Sequence, residues 1–141
     1  MWDAVAAMSG AVSAVVVIIA CVYAASQLRE ARHARALSSL LSIHQEYQAP
    51  ALRRVRRRIR DGELDVGSME REDREGLEDL LQKLELVAFL SSRKLVELED
   101  VITLFPSVPS VVSKARPYIE QRRLTSPTYA DHTLSLATQY P

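Results

Sequence analysis

The chain has 141 residues, 18 basic and 18 acidic side chains, and 48% hydrophobic residues. With one membrane span set aside, that leaves room for one small domain. A single cysteine excludes a disulfide framework and a multi-cysteine zinc site, and with four glycines and six prolines long flexible linkers are not expected.

The zero net charge hides blocks. Residues 29–60 hold nine arginines against Glu30 and Glu46, a net of +7. Residues 61–100 hold thirteen acids against five bases, a net of −8, and residues 101–141 return to +2. A basic segment is therefore followed by an acidic one.

The first element is apolar. Ala4 to Ala25 carries no charged side chain. As a helix it covers roughly 33 Å, against roughly 30 Å of hydrocarbon. A helix satisfies every backbone group within lipid, which outweighs the weak helix propensity of the β-branched run Val15–Ile19. Trp2 and Tyr23 sit near the two ends, where amphipathic rings favour the interface. Length and the abrupt basic flank favour a span over a buried helix of a soluble core. A cleaved signal peptide needs a basic start, and this one begins Met-Trp-Asp. Ile18-Ile19-Ala20-Cys21 matches a lipoprotein processing box only loosely for the same reason. Arg29, Arg32 and Arg35 follow the span while only Asp3 precedes it. The positive-inside rule then predicts the N-terminus outside and residues 29–141 in the cytoplasm of a cell with an inner (plasma) membrane.

The helix is expected to run on. No Pro or Gly occurs from Gln27 to Tyr47, and Leu28, Leu37, Leu40, Leu41, His44 and Tyr47 recur at helical spacing. Pro50 ends this run. The expected division is an anchor over 1–27 with its span at about 4–25, a stalk helix over 28–48, and a helical domain over 49–141.

Within that domain, Pro50 to Arg60 reads as a short helix with an apolar stripe of Leu52, Val55 and Ile59, closed by Asp61-Gly62. Residues 61–68 read as a loop and Ser68 as the N-cap of a helix over 69–91. That helix carries the stripe Leu77, Leu80, Leu81, Leu84, Val87 and Ala88. Leu86, Phe89 and Leu90 lie off the stripe, so burial on most sides is expected there. Residues 95–105 read as another short helix. Val108, Val111, Val112 and Ala115 give a further stripe, which Pro117 should kink or split. Ser126-Pro127 reads as an N-cap followed by a first-turn proline, opening a last helix with Ala130, Leu134 and Ala137 on one side. No segment alternates with period two for long. The predicted fold class is all-α: a long N-terminal transmembrane helix continuing as a stalk, then a small helical bundle.

Two features carry interaction chemistry. Ala6, Gly10 and Ala14 recur at spacing four within the span. Small residues in that pattern let two helix backbones approach closely, which makes them a self-association face. Ordinary Ala- and Gly-rich membrane composition produces the same pattern.

The second feature is the basic patch of Arg53, Arg54, Arg56, Arg57, Arg58 and Arg60. Anionic lipid headgroups are one partner for it, at about 1 kcal/mol per basic residue near the surface. A plain solvated face is the alternative to that. The acidic helix at 70–79 is another partner. Nucleic acid fits worst, because no aromatics interleave to stack bases. If the first helix is straight, the patch begins roughly 35 Å from the membrane by helical rise. It reaches headgroups only if the chain doubles back after Pro50.

Catalytic signals are weak. His33, His44 and His132 are scattered, and no metal-ligand spacing or phosphate-binding glycine loop is visible. Cys21 lies in the span. Glu78, Asp79 and Glu85 fall on a polar helix face, where carboxylates are normally solvated. No cofactor and no enzymatic activity is expected.

The order Trp2, apolar span, Gln27-Leu28-Arg29-Glu30, Arg-rich helix, LEDLLQKLELVAFL and Arg116-Pro117-Tyr118-Ile119…Arg122-Arg123 resembles a bacterial family of unknown function. Its members pair one N-terminal membrane helix with a small cytosolic helical domain. The resemblance implies that topology and carries over no active site. The function expected is a non-catalytic, membrane-anchored interaction or scaffold module, a homo-oligomer or bound to a protein partner. The alternatives are a regulator that binds anionic lipid through its basic helix and a small accessory subunit of a membrane complex.

Overall fold

The computed structural model describes residues 2–64 and 69–141, with side chains described from residue 14 onward. The expected Ser68 cap and the side chains of Ala6 and Gly10 therefore lie outside the described residues. The fold is all-α, with six helices and no strand among the described residues. They are α1 (Trp2–Tyr47), α2 (Pro50–Arg60), α3 (Arg71–Ser92), α4 (Leu98–Leu104), α5 (Val108–Arg123) and α6 (Asp131–Ala137).

The chain divides into two units, residues 1–35 and residues 36–141. The first unit is helical from Trp2 on. Its stretch from Ala14 to Ala25 is apolar and exposed: Val15 to Ile19, Val22 and Tyr23 all face outward. By length and composition this N-terminal helix can cross a membrane.

The second unit holds the whole core. The boundary falls at 35/36 rather than at 48/49, because the last three turns of α1 insert Ala36, Leu40, Ile43 and Tyr47 into it. These residues follow helical spacing, and burying them outweighs leaving that face in water. Leu37 and Leu41, on the other side of α1, stay exposed. Leu52, Val55 and Ile59 of α2 are buried, with α2 packed against α3 and α5. All six stripe residues of α3 are buried, as are Val108, Val111, Val112 and Ala115 of α5.

Two helices end alike. After α2, Gly62 takes φ 74° while Glu63 N–H donates to Arg58 O at 3.0 Å and Gly62 N–H to Ile59 O at 3.1 Å. After α3, Lys94 takes φ 54° while Leu95 N–H donates to Leu90 O at 3.0 Å and Lys94 N–H to Ser91 O at 2.9 Å. Both are left-handed stops that satisfy the last carbonyls. Gly62 adopts its conformation at no steric cost, whereas Lys94 adopts the same one with a side chain.

Four expectations differ from the structure. Pro117 does not split α5, because Val111 and Ala115 before it and Tyr118 and Ile119 after it are anchored in the same core. Ser126-Pro127 opens a turn rather than a helix: Tyr129 N–H donates to Ser126 O at 3.0 Å, and α6 starts only at Asp131. The last helix buries Ala130, Thr133 and Leu136, with Leu134 and Ala137 half-buried. Leu86 and Phe89 are exposed, because α2, α4 and α6 cover α3 on its other sides and a bundle this small leaves one side open.

Candidate functional site

The polar side chains of the second unit fall into two groups. On α3, Asp73, Glu75, Glu78, Asp79 and Glu85 have protein partners. Glu85, expected in solvent, accepts from the backbone N–H of His132 at 3.1 Å and from the N–H and hydroxyl of Thr133 at 2.8 and 2.7 Å. It therefore supplies the N-terminal cap that α6 lacks, since Ala130 offers no side-chain oxygen. Thr133 is fully buried, and Glu85 satisfies its hydroxyl. Glu78 accepts from the Tyr118 hydroxyl and lies 3.4 Å from Arg122. Lys83 bridges Glu46 at 2.7 Å and Asp79 at 3.1 Å, tying α3 to the end of α1. The hydrogen bond it donates to the Glu46 carboxylate holds the Lys83 ammonium above its ordinary pKa.

Burial is the main cause of raised phenol pKa values in this unit. It lifts Tyr118, helped by the Glu78 carboxylate, and it lifts Tyr129. It pushes Tyr140, whose hydroxyl donates to Phe105 O at 3.0 Å, up to about 12.

The arginines of α2 are arranged differently. Five of the six, Arg53, Arg54, Arg56, Arg57 and Arg60, line a cleft of about 550 Å³ between α2 and the start of α5. Gln48, Pro50, Ile59, Ser107, Ser110 and Val111 complete its wall, and among the described residues no carboxylate lines it. The sixth, Arg58, pairs with Asp73 of α3 and lies 3.5 Å from Glu63. Of the expected pairing with the acidic helix, this is the contact that forms. The reason is geometric: once Leu52, Val55 and Ile59 face the core, Arg58 is placed beside α3 while the other five point elsewhere.

Local contacts hold the cleft wall in place. Arg56 donates through Nη2 to Tyr47 O at 2.9 Å and to Gln48 Oε1 at 3.2 Å, and its guanidinium sits 3.8 Å over the Tyr47 ring. Tyr47 is itself fully buried, edge-on to Phe105 at 5.0 Å, and its hydroxyl shares a 2.6 Å hydrogen bond with Ser107. Arg53 donates to Gln48 O at 3.1 Å. Arg60 lies 3.6 Å from Asp61. The Arg56 Nε is buried with no hydrogen-bond partner.

The opposite wall is the first turn of α5, with Ser107 at its N-cap position and Ser110 three residues on. Val108 N–H donates to Phe105 O at 3.2 Å and Val111 N–H to Ser107 O at 2.9 Å, and Pro109 has no N–H, so Ser110 supplies the remaining backbone donor of that turn, where the helix dipole adds positive potential. Arginine forks and the Ser110 hydroxyl and N–H, converging on one space without a carboxylate among the described residues, are the donor set that an anion takes.

The arginine run was legible in the sequence. Gln48, Ser107 and Ser110 were not identified, although Ser107-Val108-Pro109-Ser110 ahead of an apolar stripe is a helix-start signal. Ala14 is exposed on α1. A second depression of about 460 Å³ between α5 and α6 carries one charged residue, Arg116. Among the described residues, no three His, Cys, Asp or Glu side chains converge as metal ligands do.

Comparison with protein-family models finds no match. Comparisons with curated proteins and with solved structures find none either.

Proposed function

We propose that this chain is a non-catalytic, single-pass interaction module of a bacterial inner membrane that takes an anionic partner at its arginine cleft. The apolar half of α1 is the anchor, with the N-terminus outside and residues 29–141 in the cytoplasm. The observation that carries the reading is the cleft itself: five arginines around one space with no lining carboxylate among the described residues. Like charges crowded together repel, and an anionic partner removes that cost.

The test uses the full chain in neutral phosphatidylcholine nanodiscs on immobilised heparin. The wild type elutes at high salt. Replacing Arg53, Arg54, Arg57 and Arg60 by Gln lowers the eluting salt sharply, whereas replacing Arg29, Arg32 and Arg35 by Gln lowers it little. Equal shifts for the two variants would remove the cleft as the recognition surface.

A second reading, a self-associating scaffold, is favoured by Leu37 and Leu41, exposed one turn apart on α1. Small residues Ala6, Gly10 and Ala14 on the same helix would allow close approach of a second copy. Gly10→Ile is expected to abolish a membrane two-hybrid signal; an unchanged signal would sink this reading.

A further inference from the structure

We infer that the cleft binds a phosphate group, a phosphomonoester or a diphosphate, held between the arginines of α2 and the N-terminal turn of α5. The inference rests on reading the cleft as the recognition surface and names the chemistry it takes.

The number of donors selects the anion. One guanidinium fork satisfies a carboxylate. Five guanidiniums around one cleft call for a compact group with more charge and more acceptor oxygens, and a phosphomonoester presents three oxygens and nearly two charges at pH 7.

Some of these donors are preset and others are unspent. Arg56 is fixed by Tyr47 and Gln48, yet its buried Nε has no partner. Arg54 and Arg57 have no ion pair among the described residues, while Arg58 of the same helix is paired away from the cleft. Across from them, Ser110 stands in the first turn of α5 and offers its hydroxyl and its backbone N–H, the Val108 and Val111 N–H groups being already paired.

Size and lining describe the rest of the ligand. A space of about 550 Å³ is far larger than a bare phosphate and falls within the range of small-molecule sites. Pro50, Ile59 and Val111 give it an apolar floor for the group that carries the phosphate. No aromatic ring among the described residues lines it, so these offer no stacking platform for a nucleobase. The phosphate comes either on a soluble metabolite or on a lipid with a phosphomonoester headgroup.

Two arms separate those sources, both with the full chain in nanodiscs. In the first, calorimetry measures inorganic pyrophosphate binding in phosphatidylcholine discs, with succinate as a carboxylate control. In the second, the thermal midpoint is compared between discs containing phosphatidic acid and discs matched in charge with phosphatidylserine. Pyrophosphate binding, or a higher midpoint in phosphatidic acid than in phosphatidylserine, supports the phosphate site and identifies its source. In whichever arm responds, Arg54→Gln with Arg57→Gln weakens the response at least about tenfold. Ser110→Ala weakens it about threefold, and Arg58→Gln leaves it unchanged. No response in either arm overturns the inference, as does a succinate affinity equal to that of pyrophosphate or an unaltered response in the double variant. Retention on heparin without any phosphate response would overturn only the phosphate assignment. Loss of both would overturn the interaction module as well.

Discussion

Helices α2 and α3 follow one another in the chain with opposite charge, and they use it in opposite ways. On α3, Asp73, Glu75, Glu78, Asp79 and Glu85 all have partners, several of them on other helices. On α2, one arginine reaches an acid of another helix and five line a cleft without one among the described residues. Adjacent blocks of opposite charge have therefore not neutralised each other. An exposed ion pair contributes about 0–1 kcal/mol, while burying one Leu, Val or Ile contributes about 1.5–3 kcal/mol. The stripe Leu52, Val55 and Ile59 therefore sets the rotation of α2, and the arginines go where that rotation sends them.

The comparison can be broken first at high pH, where the largest effect is expected. Tyr118, Tyr129 and Tyr140 have raised pKa values in the folded state, and Tyr118 donates to an α3 acid. Unfolded phenols ionise from about pH 10. The stability these groups supply is whole below pH 10 and is lost as pH rises toward about 12, the folded value of Tyr140. Thermal midpoints followed by circular dichroism should fall steeply in that window, and Tyr129→Phe should shallow the fall.

Next comes the acid that caps α6. Glu85→Ala leaves the buried Thr133 hydroxyl and two helix-start N–H groups without their acceptor. A loss of about 2–3 kcal/mol is expected in urea titration, larger than for any exposed α3 acid.

A smaller effect tests how closely the two helices approach. A Cβ at Gly76 would sit 2.7 Å from Val55 Cγ2. Valine is stiff at χ1 and cannot yield cheaply. Gly76→Ala should cost about 1 kcal/mol net, with overpacking of about 1–3 kcal/mol partly offset by about 0.5–1 kcal/mol of helix propensity. A stabilised variant would show that α2 and α3 are free to part.

The smallest effects sharpen the contrast within α2. Arg58→Gln should cost about 1 kcal/mol, because it strands Asp73, which is only 14% exposed. Arg54→Gln should fall within about 0.5 kcal/mol of the wild type or be slightly stabilising, since it relieves repulsion without breaking a pair. Equal costs at the two positions would mean that the cleft arginines are structural.

Periodicity carried the fold in the sequence. The α3 stripe, the α2 stripe and the α5 stripe are each read from spacing alone, and each is buried where expected. Local punctuation carried less. Pro50 opens α2 and Asp61-Gly62 closes it as read, but Ser126-Pro127 satisfies the same first-turn proline rule as Pro50 and makes a turn. What separates them is the tertiary fit of Ala130, Thr133 and Leu136, which fixes where α6 can begin. Glu85 lies 48 residues from Thr133, so no local pattern marks it as a cap. The cleft was half legible for the same reason: its arginines are contiguous, but the serines opposite belong to another helix.

Tyr47 gives the cleft a folding history. Its hydroxyl meets Ser107 across 60 residues of chain, and its ring carries Arg56. The two walls of the cleft therefore come together only after a long loop has closed, which makes the site a non-local contact of the kind that forms slowly. A ligand bridging those walls is bound by the native state and by no partly folded one. Its binding free energy is then added to global unfolding rather than to fraying of α2. Occupancy of the cleft and completion of the fold become one equilibrium, with Tyr47 as its pin.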